Sequence, residues 1–331
     1  MLIKMHKIGI IGAGSWGMAL AIYLAKLGNE VKVWSNTEEE KNLINSEKKC
    51  KFLPNVTVPE GIWCTTDYKE AIEGTELVLH VTPSKFTRDC VQKYKQYITD
   101  QPVIICSKGF EASTLYTLDE VLEEEMPHAK IGVLSGPSHA EEVSLNIPTA
   151  IVAASRDGMV LKQVQDMFMS STLRVYTSRD IRGVELGGAL KNIIAFCAGI
   201  IAGMNLGDNT FAALITRGLV EISRLGIELG GSQNTFYGLT GLGDLVVTCM
   251  SEHSRNRKAG FLIGQGKSLE ETKQLVGMTI ESIDNIEIAY KLAKKYQVNV
   301  PIINTVYDVL YNGLSPKVAV EQLMTREAKT E

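Results

Sequence analysis

The chain has few of the residues from which proteins build metal sites and disulfide frameworks. Its six cysteines are scattered without a Cys-x-x-Cys pair, and its five histidines show no metal-ligand spacing. Structural zinc sites need clustered ligands, and cytosolic proteins keep their thiols reduced. The sequence therefore argues against a zinc site and a disulfide framework, predicts no metal ligand, and fits a reducing cytoplasm.

The chain also lacks a large excess of either positive or negative residues. Lys and Arg total 34 against 38 Asp and Glu, which gives a formal net charge of −4. A general nucleic-acid binder presents a basic surface, so the composition argues against one. Any anionic ligand must be held by local positive groups. The 331 residues, 45% of them hydrophobic and 22% charged, suffice for two soluble domains.

The sequence predicts neither a targeting segment nor a membrane span. Residues 8–25 carry no charge over 18 residues, which is long enough to raise both possibilities. Glycines interrupt this stretch, however, and no small-residue cleavage site follows it. It divides instead into a short strand, a turn and a helix. No internal repeat or low-complexity linker is present elsewhere, and we expect a cytoplasmic protein.

A glycine-rich turn stands between that strand and that helix. Residues 7–11 form a short apolar run, residues 12–17 read Gly-Ala-Gly-Ser-Trp-Gly, and residues 18–27 show helical spacing. A second strand is predicted over residues 31–34. The Gly-x-Gly-x-x-Gly pattern therefore lies in the strand–turn–helix context that dinucleotide binding requires.

Each glycine of this turn has a distinct physical role. Gly12 permits the tight turn, Gly14 lets a pyrophosphate approach the backbone, and Gly17 lets the helix pack on the strand. The helix N-terminus faces the phosphates. Ser15 and Trp16 are expected at the edge of the cofactor. The alternative is a glycine-rich turn that binds nothing.

The end of the second strand usually distinguishes NAD from NADP. An acidic residue there binds the ribose hydroxyls, and an arginine accommodates a 2′-phosphate. Residues 34–38 read Trp-Ser-Asn-Thr-Glu, with Asn36 at the expected place and Glu38 slightly late. Glu38 is equally consistent with the start of a solvated helix over residues 38–46. The cofactor preference is therefore open.

The rest of the first half alternates strand and helix. This pattern predicts a doubly wound, Rossmann-like, mainly parallel sheet with right-handed crossovers, in a dinucleotide-binding domain over residues 1–181. The further strands are expected at residues 77–81, 102–106, 131–134, 149–154 and 173–176.

Polar residues follow two of these strands, at the sheet edge where ligands bind: Thr-Pro-Ser at 82–84 follows the strand at 77–81, and Ser-Lys-Gly at 107–109 follows the strand at 102–106. Lys108 comes just after the strand at 102–106 and brings an ammonium group to that edge, although an isolated lysine is more often a surface residue. Residues 135–142, Ser-Gly-Pro-Ser-His-Ala-Glu-Glu, follow the strand at 131–134. Ser138 is in position to cap the next helix.

From residue 182 the pattern becomes helical, which predicts an all-α substrate and catalytic domain over residues 182–331. Residues 180–200 read as a buried helix with one lysine, Lys191, among apolar and tiny residues. Small residues let another helix or a ligand approach closely. Dehydration should lower the pKa of this lysine toward neutrality, which suits proton transfer. The alternative is a lysine that snorkels to the surface.

A single acid, Asp244, stands in the glycine-rich, apolar stretch 236–249. A buried acid without a partner is costly, so Asp244 should have a cationic or hydrogen-bonding partner, for which Lys191 is an attractive candidate. Capping of the following helix is an equally good reading of Asp244.

The densest basic cluster is Ser-Arg-Asn-Arg-Lys at residues 254–258. Arginine forms bidentate hydrogen bonds to phosphate, and serine and asparagine add neutral ones. A solvated basic face is the usual alternative for such a run. The preceding glycine-rich loop and the acidic whole chain favour a local phosphate site.

Six segments in this order resemble the bacterial NAD(P)-dependent glycerol-3-phosphate dehydrogenases over essentially the full length of the chain. The most specific are Leu-Gly-Gly-Ala-Leu-Lys-Asn at 186–192 and Ser-Arg-Asn-Arg at 254–257. The resemblance implies interconversion of sn-glycerol 3-phosphate and dihydroxyacetone phosphate with NAD or NADP, mainly to feed phospholipid synthesis. The other segments are 12–17, Lys108, 136–142 and 241–244.

The resemblance also implies roles for individual residues. Lys191 would be the general acid and base at C2 of the substrate, and Lys108 and Asp244 would hold the substrate and order the proton path. The substrate would be bound by Lys108, Gly136, Ser138, Lys191, Asp244, Ser254, Arg255 and Asn256. The cofactor would be bound by Gly12, Gly14, Ser15, Trp16, Gly17, Asn36, Lys108, Ala140, Arg255 and Glu281.

The chain departs from the family pattern at two places. The family often has a basic residue where Asn36 stands, and it usually has Glu-Gly where this chain has Glu281-Ser282. Two rival functions remain: another dehydrogenase acting on a hydroxy acid or sugar phosphate, and a non-catalytic dinucleotide-sensing protein. Helical second domains of this kind often dimerise, so a homodimer is expected by analogy.

Overall fold

The computed structural model describes residues 5–328 and 330 and divides into two compact units. The first comprises Met1–Glu111 and Tyr116–Glu185, and the second comprises Ala112–Leu115 and Leu186–Glu331. The domain boundary predicted at residues 181 and 182 falls at the first residues of a long helix, Ile181–Gly203.

The first unit is built on one eight-stranded sheet with the strand order β3-β2-β1-β4-β5-β6-β7-β8. Neighbouring strands pair in parallel, except that β6 and β7 are antiparallel. The predicted doubly wound, mainly parallel sheet is confirmed. The strands are β1 Lys7–Ile11, β2 Glu30–Trp34, β3 Ile62–Thr65, β4 Leu77–His80, β5 Val103–Ile105, β6 Ile131–Ser135, β7 Thr149–Ala154 and β8 Leu173–Ser178.

The central strands are buried along almost their whole length. Strands β4, β5 and β6 have no exposed residue, and β1 has one, Lys7. A sheet covered on both faces requires such continuous apolar runs, and these runs made the strands predictable. Strand β3, with the sequence Ile-Trp-Cys-Thr at the edge of the sheet, was not among the predicted strands.

The antiparallel step between β6 and β7 reverses the direction of the last two strands. Val133 pairs with Ala154, and Ser135 pairs with Val152. The carboxyl ends of β1 to β6 therefore lie at one side of the sheet, and those of β7 and β8 lie at the opposite side.

Seven helices connect the strands in the described part of the first unit. Several begin at side-chain caps of the expected kind: the Thr37 hydroxyl accepts a hydrogen bond from Glu40 N, and Asp157 accepts one from Met159 N. The helices are α1 Ser15–Lys26, α2 Glu38–Ser46, α3 Tyr68–Ile72, α4 Thr87–Tyr94, α5 Leu118–Glu125, α6 Ala140–Ser144 and α7 Gly158–Phe168.

Every regular element described in the second unit is helical, as predicted. Helix α8, Ile181–Gly203, begins in the first unit and continues into the second. It is followed by α9 Asp208–Glu228, α10 Gln233–Phe236, a π-helix Leu239–Gly243, α11 Asp244–Met250, α12 Arg255–Gly264, α13 Leu269–Val276, α14 Glu281–Lys295, α15 Pro301–Tyr311 and α16 Pro316–Met324.

Helix α8 is the core helix of the second unit. In the part of the chain that the structure describes, it is the one helix long and apolar enough to cross a membrane, but 89% of its most apolar window is buried inside the protein. Two of its glycines face the neighbouring helix α12. A Cβ at Gly199 or Gly203 would collide with the backbone of α12, and a Cβ at Gly260 or Gly264 would collide with that of α8. The two helices therefore pack backbone to backbone.

A buried carboxylate, Glu221, holds the start of α15. Its oxygens accept hydrogen bonds from the backbone N–H groups of Ile302, at 2.8 and 2.9 Å, and of Ile303, at 3.2 Å. Pro301 at the first position of the helix has no N–H to satisfy. Burial raises the pKa of Glu221 to about 7, and this effect outweighs the two N–H groups and Arg224, which lower it.

The stability of the protein should consequently depend on Glu221 between about pH 4.5 and 7. In this interval the folded protein keeps the carboxyl protonated while the unfolded chain ionises it, so stability falls as pH rises. The raised pKa, from 4.5 to about 7, corresponds to about 3 kcal/mol across the interval. We expect Glu221→Gln to flatten the pH dependence of Tm between pH 5 and 7 relative to wild type. Parallel curves for the two proteins would show that Glu221 does not titrate there.

Candidate active site

The first unit has a candidate site at the turn from β1 into α1. Gly12 has φ = +126°, and a Cβ there would lie 2.8 Å from the carbonyl oxygen of Val81 beside β4. A Cβ at Gly17 would collide with the carbonyl oxygen of Gly12. The turn and the close approach of α1 to β1 therefore both require glycine, as the sequence predicts.

The start of α1 at Gly14 has the features that a dinucleotide pyrophosphate requires. Gly14 is the N-cap of α1, it offers no capping side chain, and the first turn of α1 has no acid. A Cβ at Gly14 would meet no protein atom within 4 Å, so the space beside this glycine is open. The free N–H groups of a 12-residue helix beside open space fit a pyrophosphate. Ser15 and Trp16 form the first residues of that helix.

The residues at the end of β2 do not distinguish NAD from NADP. Asn36 is exposed two residues beyond β2. Glu38 is the first residue of α2, and its carboxylate accepts hydrogen bonds from Thr66 at 2.6 Å and Lys41 at 2.8 Å. The interpretation of Glu38 as the start of a solvated helix is confirmed.

Three of the predicted substrate residues converge beyond the carboxyl ends of β5 and β6. Lys108 Nζ donates to the carbonyl oxygen of Gly136 at 3.1 Å, and the Ser138 hydroxyl donates to the same oxygen at 3.0 Å. Ser138 as a helix cap is wrong: α6 begins at Ala140 and its N-cap is His139. The serine hydroxyl donates instead to the carbonyl oxygen of Gly136 in the preceding turn.

The second unit contains its own candidate site, which is a buried ion pair. Lys191 is 5% exposed and Asp244 is 1% exposed. Lys191 Nζ donates to Asp244 Oδ1 and, at 2.7 Å, to the Thr248 hydroxyl. The Thr248 hydroxyl in turn donates to the carbonyl oxygen of Asp244 at 2.6 Å. The predicted partnership of Lys191 with Asp244 is confirmed.

This geometry decides between the readings that the sequence left open. Lys191 does not snorkel, since its side chain is buried beside Asp244. Asp244 is not a helix cap, since the N-cap of α11 is Gly243 and Asp244 is the first helical residue. Thr248 was missed, although it lies four residues after Asp244 and so on the same helical face. A hydroxyl at that spacing from a buried acid was the available signal.

The ammonium of Lys191 is held by a carboxylate and a hydroxyl group. A buried lysine ammonium carries three N–H donors, and the two oxygens of Asp244 and Thr248 hold two of them. The carboxylate favours the charged ammonium and so opposes the effect of burial. These two hydrogen bonds fix the orientation of the Lys191 ammonium.

The basic cluster forms the start of α12, and Ser254, Arg255 and Asn256 all have hydrogen-bond partners in the protein. The Ser254 hydroxyl caps α12 by accepting from Arg257 N at 3.2 Å. Arg255 is exposed and donates from Nη1 to the carbonyl oxygen of Thr279 at 3.1 Å. A guanidinium has five N–H donors, so most of those of Arg255 stay available to a ligand.

Asn256 connects three helices. Its Nδ2 donates to Asn192 Oδ1 on α8 at 2.9 Å, and its Oδ1 accepts from Ser282 N on α14 at 3.0 Å. One Nδ2 hydrogen remains for another acceptor. Glu281 is the first residue of α14, and Ser282 beside it is fully buried. The cofactor roles of Arg255 and Glu281 stay predictions.

The described residues contain no cluster of three or more His, Cys, Asp or Glu side chains that would hold a metal ion. All six cysteines are buried and free. Burial raises the pKa of Cys249, near Lys191 and Asp244, to about 12.

Comparison with known families decides the identity. The family model of the NAD-dependent glycerol-3-phosphate dehydrogenase N-terminus matches residues 7–161, and that of the C-terminus matches residues 180–321. The chain belongs to the NAD-dependent glycerol-3-phosphate dehydrogenase family. The resemblance inferred from the sequence is confirmed, and both matched segments contain the residues described above.

Relatives in this family match over nearly their whole length. The glycerol-3-phosphate dehydrogenase [NAD(P)+] of Agathobacter rectalis is 47% identical over 329 residues, which cover 99% of this chain and 98% of the relative. The enzyme of the same name from Fusobacterium nucleatum is 48% identical over 332 residues, which cover 99% of this chain and 99% of the relative. The crystal structure of glycerol-3-phosphate dehydrogenase from Coxiella burnetii, 38% identical, superimposes with a TM-score of 0.94 over 97% of this chain and 99% of that one.

Proposed function

We propose that this protein interconverts sn-glycerol 3-phosphate and dihydroxyacetone phosphate with NAD or NADP, and that Lys191 is its general acid and base. The reaction follows from membership of the dehydrogenase family. The observation that supports the role of Lys191 is its burial in an ion pair with Asp244. The product serves glycerophospholipid synthesis.

The reduction of the ketone requires one hydride and one proton. When bound, NAD or NADP supplies or accepts the hydride at C2. Lys191 donates its proton to the C2 oxygen during reduction and takes it back from the alcohol during oxidation. Asp244 keeps the ammonium in place, and the positive charge of Lys191 stabilises the alkoxide that develops at C2.

The residues around Gly14 and those around Gly136 have separate tasks. The free N–H groups at the start of α1 bind the pyrophosphate, together with Ser15 and Trp16. We assign Lys108, Gly136 and Ser138 to the substrate, as the family resemblance implies. Their convergence on one carbonyl oxygen supports a shared role for the three.

The phosphate of the substrate is assigned to the start of α12. Arg255 supplies charged donors, and Ser254 and Asn256 lie beside it at the helix N-terminus. A phosphate is remote from the reacting carbon, so its binding energy can be used to orient the substrate. The chain is acidic overall, which makes a local cationic group necessary for this.

We expect Arg255→Ala to raise the KM for dihydroxyacetone phosphate by about 10- to 100-fold, because hydrogen bonds to a charged group contribute about 1.5–3 kcal/mol. The matched control is Lys258→Ala, which removes the same charge from an exposed position of the same cluster and should change KM less than about two-fold. Steady-state kinetics at saturating NADH measure both values. Equal effects of the two substitutions would remove the phosphate role of Arg255.

The function itself is tested by following the oxidation of NADH and of NADPH separately by absorbance. Dihydroxyacetone phosphate is the substrate, and unphosphorylated dihydroxyacetone is the control. We expect oxidation that depends on the phosphate, and the ratio between the two cofactors measures the preference that Asn36 leaves open. Protein that is folded and binds NADH but oxidises neither cofactor would contradict the proposal and favour a dinucleotide-sensing role.

Two further proposals concern the state of the protein in the cell. We propose a homodimer, by analogy with helical second domains of this kind, and analytical ultracentrifugation tests it. We also propose a cytoplasmic location, which six free, buried cysteines support.

A further inference from the structure

The segment that precedes Asp244 has an unusual backbone. Residues Leu239–Gly243 form a π-helix, in which Gly243 N donates to the carbonyl oxygen of Gly238 at 3.1 Å. Such i to i+5 turns are rare and are found frequently at functional sites. Asp244 is the next residue, so the path of the π-helix sets the place at which α11 and its first carboxylate begin.

Gly187 on α8 lies directly against this π-helix. A Cβ built at Gly187 would lie 2.7 Å from the carbonyl oxygen of Thr240 and 3.2 Å from its carbonyl carbon. Gly187 is four residues before Lys191, so the two lie on the same face of α8, one turn apart. The missing side chain at 187 thus makes room for the backbone that leads to Asp244.

The π-helix is confined on its other side as well. A Cβ at Gly241 would collide with the carbonyl oxygen of Phe236 at the end of α10. Thr240 and Gly241 are both buried. The segment therefore has contacts with α8 on one side and with α10 on the other, and a group added on the α8 side must displace it.

We propose that Gly187 is a positioning residue, whose missing side chain lets the π-helix lie against α8 so that the Asp244 carboxylate reaches Lys191. This inference rests on the proposed role of Lys191. Gly187 itself touches neither substrate nor cofactor in this assignment. It acts through the distance between the two members of the ion pair.

Gly187→Ala is an informative test because it should favour the helical conformation of α8 while it lowers kcat. Alanine is the better helix former by about 1 kcal/mol, so α8 itself is not weakened. The methyl group must move the Thr240 carbonyl by several tenths of an ångström, and Asp244 moves with it. Because misplacement by about 1 Å can cost a catalytic step about 10²-fold, we expect kcat to fall by about 10- to 100-fold.

Three readouts separate positioning from general packing. The KM for dihydroxyacetone phosphate and the Kd for NADH should change less than about two-fold, and the pH profile of kcat should shift because the carboxylate no longer holds the charge on Lys191. Adding Asp244→Glu, which is one methylene longer, should recover part of the lost kcat. In the wild-type background the same Asp244→Glu should lower kcat.

The matched control is Gly218→Ala on α9. It also adds a methyl group to a buried helical glycine of the second unit, but the methyl meets the side chain of Ile194, 2.7 Å away, instead of a backbone. It should lower Tm and leave the pH profile of kcat as in wild type.

Several outcomes overturn the proposal. These are a wild-type kcat and pH profile in Gly187→Ala, an equal loss of kcat in Gly218→Ala, and a failure of Gly187→Ala to fold, since the displacement should be confined to the π-helix. A crystal structure of Gly187→Ala in which Lys191 still contacts Asp244 would also overturn it. Absence of turnover in the wild type, by contrast, would count against the proposed function and leave this structural test intact.

Discussion

Replacing Lys191 by alanine is expected to lower the kcat for dihydroxyacetone phosphate reduction by about 10³-fold and to leave NADH binding nearly unchanged. In the proposed mechanism, the substitution removes the proton donor and the positive charge beside the developing alkoxide. It leaves the turn at Gly12 and Gly14, which belongs to the other compact unit, untouched. Absorbance kinetics give kcat, and fluorescence titration gives the Kd for NADH.

The control variant is Lys191→Arg, which keeps a positive charge at the same position. A guanidinium is not deprotonated in proteins, so it cannot serve as acid and base. We expect its kcat to stay far below that of wild type. Loss of NADH binding in Lys191→Ala would instead mean that Lys191 is a structural residue, and a near wild-type kcat in Lys191→Arg would mean that its charge alone suffices.

Asp244→Ala is expected to lower the free energy of unfolding by about 3–5 kcal/mol, because it leaves the ammonium of Lys191 buried without its carboxylate. The pair is almost fully buried. Adding Lys191→Met should recover much of this loss, since the double variant leaves no unpaired charge. Urea unfolding of the two single variants and the double variant gives the coupling energy.

An exposed ion pair serves as the comparison for this double-mutant cycle. Lys162 and Asp166 on α7 form an i, i+4 ion pair in solvent. Exposed pairs contribute about 0.2–1 kcal/mol, so Asp166→Ala should cost less than about 1 kcal/mol. If Asp244→Ala costs no more than Asp166→Ala, or if the double variant is no more stable than Asp244→Ala, the buried pair is not coupled as the structure implies.

The features that could be predicted from the sequence are those fixed by local physics or by the cost of burial. The glycines at 12, 14 and 17 have roles that follow from one short stretch of backbone. The partnership of Lys191 with Asp244 spans 53 residues. It was still predictable, because a lone acid in apolar surroundings needs a cation.

The features that could not be predicted depend on contacts between distant elements. The hydrogen bonds of Asn256 to Asn192 and Ser282 join three helices, and nothing in the residues around 256 indicates them. The reversed direction of β7 is set by pairing with β6. The redirection of Ser138 toward Gly136 depends on the turn after β6, and helix-capping propensity alone gave the wrong partner.

The glycines between α8 and α12 have a consequence for which substrates fit. Gly199 and Gly203 on one helix and Gly260 and Gly264 on the other are each one turn apart and receive the opposite backbone. Because the backbone of each helix lies against the glycines of the other, a small shift of one helix along its partner would bring side chains into collision with that backbone. Lys191 is fixed to the first helix and Arg255 to the start of the second. If Lys191 is the proton donor and Arg255 binds the phosphate, as proposed above, the packing of α8 on α12 would fix the distance between them and so select substrates by length.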